Sequence, residues 1–509
     1  MQTIYESFLA STEGAPQKTL FERPGAPDIT YAQARDLVHR LATVLTGFGV
    51  QPGDRVAAQT EKSPEAICLY LATLQVGAVY LPLNTAYTGA EIDYFLEDAA
   101  PRLFLCSPAT LSEHRSHQSA VLHVESLGTK ADGTLMDQVR MVHPMTNHVA
   151  RKMEDAAAIL YTSGTTGRSK GAVLTHGNLA SNTAALSQIW RYTADDRLIH
   201  ALPIFHTHGL FVAVNMTLAA GAAMIWLTRF ETEEVIGLMS RATVLMGVPT
   251  FYTRLLKSGR LDHAATSNMR LFVSGSAPLL PEDHRDFEAQ TGHAILERYG
   301  MTETCMIASN PYDGSRKPGA VGMALPGVEI RITDRETAGP LPRGEIGAIE
   351  VRGPNVFAGY WNMPEKTAAE FRADGFFITG DLGQIGEDGY LRIVGRDKDL
   401  VISGGYNVYP REIEALIDEI SGVGENAVIG LPHPDLGEGV TAIVVGETEG
   451  VIDEAGILRA IGDQLARYKQ PKRVLFVPEL PRNAMGKVQK AELRRRFAQL
   501  YQKGTLPDA

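Results

Sequence analysis

The stretch Tyr161-Thr162-Ser163-Gly164-Thr165-Thr166-Gly167-Arg168-Ser169-Lys170-Gly171 constrains this 509-residue chain more than any other. An apolar run, Ala156 to Tyr161, leads into it and reads as a buried strand. Glycine lets backbone N–H groups turn toward an anion, and the threonine and serine hydroxyls add donors that wrap phosphate oxygens. A strand that hands over to such a loop implies a nucleotide site on an α/β scaffold. A P-loop would need Gly, four residues, then Gly-Lys-Ser/Thr. Here Lys170 stands between Ser169 and Gly171, so that spacing fails.

Composition narrows the classes. At 44% hydrophobic and 21% charged residues, this length implies more than one domain. A net charge of -11 argues against bulk nucleic-acid binding. From Arg467 to Lys503, however, eleven lysines and arginines face two acids, which suits phosphate-bearing small ligands. Cys68, Cys106 and Cys305 have no metal spacing and imply no disulfide framework, so Cys305 is expected to be a packing residue. The start, Met1-Gln2-Thr3-Ile4-Tyr5-Glu6, lacks a signal peptide's basic region and apolar core, and a cytoplasmic place is expected. Gly209 to Leu227 is long and apolar enough to suggest a membrane span. Gly221 splits it into a helix, Leu210–Ala220, and a strand, Ala222–Leu227, so no membrane is expected.

Along the chain, helices at Tyr31–Phe48, Pro64–Leu74 and Glu91–Asp98 alternate with strands at Arg55–Gln59, Val79–Leu83 and Arg102–Cys106, which predicts parallel α/β sheets. Val244–Pro249 reads as a strand, followed by a helix Thr250–Lys257. Arg254 sits on that otherwise apolar helix, where it must reach solvent or meet an acid. Met269–Val273 leads into Ser274-Gly275-Ser276-Ala277-Pro278, a small-residue turn whose backbone suits the flat face of a base. Val328 to Trp361 turns β-rich and predicts a small barrel-like subdomain. Ile378–Asp381 reads as a strand ending on an acid. A C-terminal α+β unit follows, with helices Pro410–Ile420 and Asp453–Tyr468 and strands Ala427–Gly430, Thr441–Val445 and Val474–Val477.

The loop at 161–171, the string Glu297-Arg298-Tyr299-Gly300-Met301-Thr302-Glu303-Thr304, the run Gly395-Arg396-Asp397-Lys398-Asp399 with Gly404-Gly405-Tyr406, and Pro481 to Lys487 occur in the order found in adenylate-forming enzymes. The chain closely resembles that superfamily of acyl-CoA synthetases, luciferases and peptide-synthetase adenylation domains. The resemblance implies an N-terminal domain, 1–397, and a mobile C-terminal domain, 398–509, hinged at Lys398. It assigns ATP to Thr162, Ser163, Gly164, Thr165, Thr166, Gly167, Lys170, Gly275, Ser276, Ala277, Glu297, Arg298, Tyr299, Gly300 and Met301, with Tyr299 stacked on adenine. Thr302 would bond the α-phosphate, Glu303 hold Mg²⁺, Asp381 accept the ribose hydroxyls and Arg396 reach ribose or phosphates. Gly404, Gly405 and Tyr406 would face the pantetheine of coenzyme A. Lys487 would bridge the carboxylate and the α-phosphate, and would be open to a protein acyltransferase and deacylase.

The segments Pro203-Ile204-Phe205-His206-Thr207-His208-Gly209, Gly247 to Arg254 and Ser274 to Ala277 are similar to those of malonyl-CoA synthetases. That likeness implies a dicarboxylic substrate, malonate or methylmalonate. His206 or His208 and Ser274 would line its pocket, Met323 would limit the substituent, and Arg254 would receive the distal carboxylate. A short monocarboxylic acid as substrate, or a carrier protein as acceptor, is the alternative.

Overall fold

Val79–Pro82 and Leu103–Cys106 are buried at every position, as parallel strands covered on both faces must be. In the computed structural model they belong to a seven-stranded sheet. Its order is Gly359–Tyr360, Lys170–Thr175, Ala156–Thr162, Val79–Pro82, Arg55–Ala58, Leu103–Cys106 and His123–Ser126. A nine-stranded sheet has Leu296–Met301, Leu271–Ser274, Val244–Gly247, Arg197–His200 and Ala223–Trp226 as successive parallel strands. The structure describes residues 1–115, 122–162, 169–447, 452–462, 464–482 and 487–501. Both sheets are parallel at the centre, as expected; the nine-stranded sheet is antiparallel at both edges, and the seven-stranded sheet at the edge that ends on Gly359–Tyr360. Lys170–Thr175 runs against Ala156–Thr162, and Cys305–Ser309 runs against Leu296–Met301.

Local signals explain the helices. Tyr31–Gly47 and Gly89–Ala99 begin with capping boxes, Thr30 with Gln33 and Thr88 with Glu91. Pro64–Gln75 is buried along its whole length, and Gln75 Nε2 donates to the carbonyls of Met145 and Asn147 at 3.0 Å. Gly221 ends a helix in the left-handed conformation and the strand Ala223–Trp226 follows, as expected. The helix before it is two pieces, a π-helix His208–Val214 and an α-helix Asn215–Ala220. Among the described residues no helix is long and apolar enough to cross a membrane.

These two sheets lie in a unit comprising Met1–Ile330 and Val351–Phe377; Arg331–Glu350 and Ile378–Ala509 form a second unit. The boundary expected at Lys398 falls inside the second. The stretch Val328 to Trp361, expected to form a barrel-like subdomain, gives two strands of a four-stranded sheet ordered Glu329–Thr333, Gly347–Arg352, Phe377–Ile385 and Leu391–Arg396, whose other two strands lie beyond Trp361. The five-stranded sheet of the second unit is centred on Gly437–Gly446, over a core that includes Val401, Ile413, Ile417, Val428 and Ile457.

Several element ends differ from expectation. Pro249 is the first residue of the helix Pro249–Lys257 rather than the last of a strand, because its fixed φ and missing N–H suit a helix start. Asp381 lies inside Phe377–Ile385, not at a strand end. The helices Pro410–Asp418 and Glu454–Gly462 stop before the predicted Ile420 and Tyr468.

Candidate active site

The glycine-rich loop joins two antiparallel strands, with Thr162 opposite Lys170 at the open end of the ladder. No helix N-terminus follows it, which is why P-loop spacing does not apply. Ser163, Gly164, Thr165, Thr166 and Gly167 lie outside the described residues. Lys170 is described. Its Nζ stands 3.1 Å from Oε1 of Glu370 and 4.1 Å from the centre of the Tyr360 ring.

Thr302, Glu303 and Thr304 form a tight hairpin turn, with Met301 paired to Cys305 across it. Cys305 closes the turn at φ 48°, a left-handed conformation that a three-residue hairpin loop requires. Its buried thiol is pushed up to about 12, consistent with packing rather than nucleophilic chemistry. Glu303 is buried, and its Oε1 accepts from the Tyr360 hydroxyl at 3.0 Å. Tyr299 is buried on the adjoining strand, with Gly300 and Met301 beyond it.

Glu297 and Arg298, both assigned to ATP by the resemblance, are adjacent on a strand, where neighbours point to opposite faces. Glu297 accepts from the backbone N–H of Gly319 at 3.2 Å and lies 3.4 Å from His284 Nδ1. Arg298 points the other way, into the Ser274–Ala277 turn. Its Nη2 donates to Ser276 Oγ at 3.4 Å, and Ser276 Oγ lies 3.4 Å from His208 Nδ1. A β-carbon on Gly275 would stand 2.4 Å from Arg298 Cζ. Ser276 holds φ 72°, unusual for a side-chain-bearing residue.

Arg298 is 4% exposed, and burial lowers its guanidinium to about 9. Among the described residues no carboxylate is within ion-pair distance of it, and its Nε is buried without a hydrogen-bond partner. His208 Nε2 and Ser274 Oγ are buried and unpartnered too. Burial, with the nearby charges of Arg298, His206 and His200, lowers His208 well below its usual value, so it stays neutral. Arg298 therefore supplies the positive charge of this cluster.

Two other acyl candidates, Arg254 and Met323, stand apart. Arg254 and Met323 are exposed, and His206 is half-buried. Among the described residues, no interaction joins Arg254 or Met323 to the Arg298 cluster.

In the second unit, Asp381 is 4% exposed and pairs with Arg396 Nε at 2.7 Å, across adjacent antiparallel strands. Lys398 lies in a short turn, Asp397–Asp399, and burial, with Arg396 close by, lowers its ammonium. Asp397 is held by Arg335 and Asp399 by Arg494. Gly404 and Gly405, at φ 58° and 81°, form the two-residue turn of a hairpin in which Ser403 pairs with Tyr406. Tyr406 stacks on Tyr468. Lys487 is exposed.

The family model of the AMP-binding enzyme matches residues 8–361, and that of the AMP-binding enzyme C-terminal domain matches 412–487. The chain belongs to the AMP-binding enzyme family. Its class is that of the AMP-forming acid–CoA ligases. It is similar to ATP-bound MatB from Rhodopseudomonas palustris, at 57% identity and TM-score 0.95, over 98% of this chain and 100% of that one. The malonate–CoA ligase of Arabidopsis thaliana is 36% identical over 88% of this chain and 79% of its own length. The indoleacetate–CoA ligase of Aromatoleum aromaticum is 35% identical over 95% and 96%.

Sequence reasoning does not single out Tyr360 or Glu370, the side chains that contact Glu303 and Lys170. Tyr360 sits in an aromatic run, and Glu370 follows the mixed-charge segment Pro364 to Ala369 that reads as a solvated helix face. Strand alternation is a usable signal for Arg298, since it separates that residue from Glu297.

Proposed function

We propose that this ligase joins malonate to coenzyme A through a malonyl-adenylate, releasing pyrophosphate and AMP. The observation that carries the acid is Arg298, a buried guanidinium with no carboxylate partner among the described residues. A buried cation left unpaired costs several kcal/mol, and a carboxylate held by a guanidinium offsets that cost. An anionic second carboxyl on the substrate completes the site; a monocarboxylate with an apolar tail does not. The relatives at similar identity carry malonate and indoleacetate in their names, so overall identity does not choose the acid.

In this reading Arg298, Ser276 and His208 hold the distal carboxylate, and Arg254, exposed, adds long-range attraction. Met323 limits the substituent, so methylmalonate is accepted where a methyl fits. The proximal carboxylate attacks the α-phosphorus of ATP. Lys487 meets both anions, and Thr302 with the glycine-rich loop donates to phosphoryl oxygens, so catalysis is positioning and electrostatics. Glu303, a buried carboxylate beside the phosphate-binding turn, suits Mg²⁺, which takes one or two carboxylates together with substrate phosphates. The bound ion would neutralise phosphate charge. Asp381 accepts ribose, and the C-terminal part pivots at Lys398 to bring the Gly404–Tyr406 hairpin to the coenzyme A thiol. Malonate-dependent exchange of labelled pyrophosphate into ATP, without coenzyme A, tests the first half-reaction. Exchange with acetate or butyrate but not malonate would overturn the choice of acid.

A further inference from the structure

Lys170 and Glu303 come from separate sequence motifs, yet one pair of side chains connects them. Tyr360 Oη is 3.0 Å from Glu303 Oε1 and 2.7 Å from Glu370 Oε2. Glu370 Oε1 in turn lies 3.1 Å from Lys170 Nζ and 2.9 Å from Lys366 Nζ. The Tyr360 ring carries the Lys170 ammonium on its face. The backbone sets this up. Gly359–Tyr360 pairs with Val173 and Ala172 at the start of the strand that begins at Lys170, and Trp361 N donates to the Gly171 carbonyl at 2.7 Å. Glu370 caps the short helix Pro364–Ala369, whose Thr367 hydroxyl accepts from Tyr360 N.

The charges make Glu370 a hub. Burial alone would raise its carboxyl, but hydrogen bonds from Lys366, Tyr360 and Lys170 outweigh it and hold the group below its usual value. An ionised carboxylate thus fixes a flexible lysine whose stem would otherwise sample many rotamers. Tyr360 has one proton for two carboxylate oxygens, so the positions of Glu303 and Glu370 are coupled through it.

We infer that Glu370 is a positioning residue for ATP. It holds the Lys170 ammonium in place before nucleotide arrives. The inference rests on the reading of Lys170 as a phosphate ligand. Lys366, half-exposed on the same carboxylate, has no such role.

Calorimetric binding of Mg·ATP and of AMP to the whole chain tests this without any acid present. Glu370→Gln keeps the shape and removes the charge. The expected result is a Kd for ATP raised about tenfold, an AMP Kd changed less than twofold, and Lys366→Met like wild type. Lys170→Met should weaken ATP by a similar factor, and adding Glu370→Gln to it should cost less than twofold more, because the second residue acts through the first. Glu370→Asp should recover part of the loss. Additive losses in the double variant, equal losses for AMP and ATP, or an unchanged ATP Kd in Glu370→Gln would each overturn the inference. Failure of the malonate reading would appear separately, as wild-type protein that binds ATP normally but does not exchange pyrophosphate with malonate.

Discussion

Arg298 Nη2 donates to the hydroxyl of Ser276, which itself stands 3.4 Å from His208 Nδ1. That chain starts from a buried guanidinium with no carboxylate partner among the described residues, and it sets the first prediction. Arg298→Met should lower kcat/KM for malonate roughly 10- to 100-fold, the worth of a charge-assisted hydrogen bond of about 1.5–3 kcal/mol. Activity on propionate or butyrate should hold or rise, because an apolar side chain replaces an unpaired charge. A parallel loss on all acids would mean the arginine serves the fold or the nucleotide instead.

Arg254 provides a ranking. An exposed guanidinium attracts a carboxylate through screened charge, worth about 0.2–1 kcal/mol. Arg254→Leu should therefore cost malonate less than about fivefold in kcat/KM, and the cost should shrink further in high salt. A larger loss than that of Arg298→Met would reverse the order of the two arginines.

Much of the architecture is legible in the amino-acid order. Gly221 ends one element and begins another because glycine tolerates the left-handed conformation, and the sequence shows that break. The apolar runs at Val79 and Leu103 could hardly be anything but buried strands. Other features depend on contacts between distant segments. The π-helix beginning at His208 starts where Gly209 packs against the carbonyl of Pro203 and His200 Nε2 reaches the carbonyl of Gly209, and no local propensity encodes that. Arg254 receives the distal carboxylate in the sequence reading through the likeness to malonyl-CoA synthetases; its place on an otherwise apolar helix says only that it must reach solvent or meet an acid. The resemblance assigns Arg298 to ATP together with Glu297, and only strand geometry shows that the two do not meet and that Arg298 turns toward Ser276 and His208. Glu370 matters because a strand pair brings it to Lys170, 200 residues away in sequence.

Lys487 separates the half-reactions. Lys487→Ala should abolish malonate-dependent pyrophosphate exchange while leaving thioester formation from supplied malonyl-adenylate within a few-fold of wild type. Rapid-quench measurement of each step checks this. Equal loss in both steps would contradict a lysine used only for adenylation.

Stability should depend on pH through His176. It is 1% exposed, both ring nitrogens lack partners, and burial first and Arg151 second lower its value from 6.5 to about 4. The unfolded chain then binds more protons between those values, so stability is full above pH 6.5 and falls as pH drops, by up to ~1.4 kcal/mol per pH unit. His176→Phe should lose less Tm between pH 7.5 and 5.5 than wild type. An equal drop in both proteins would exclude this histidine as a source.

Pyrophosphate release from ATP and Mg²⁺ with acetate, propionate, butyrate, malonate, methylmalonate and succinate, each with and without coenzyme A, decides which acid the enzyme activates. Malonate should lead every monocarboxylate by about tenfold or more, as one charge-assisted contact implies, with coenzyme A required for turnover. A monocarboxylate in first place would contradict the choice of malonate.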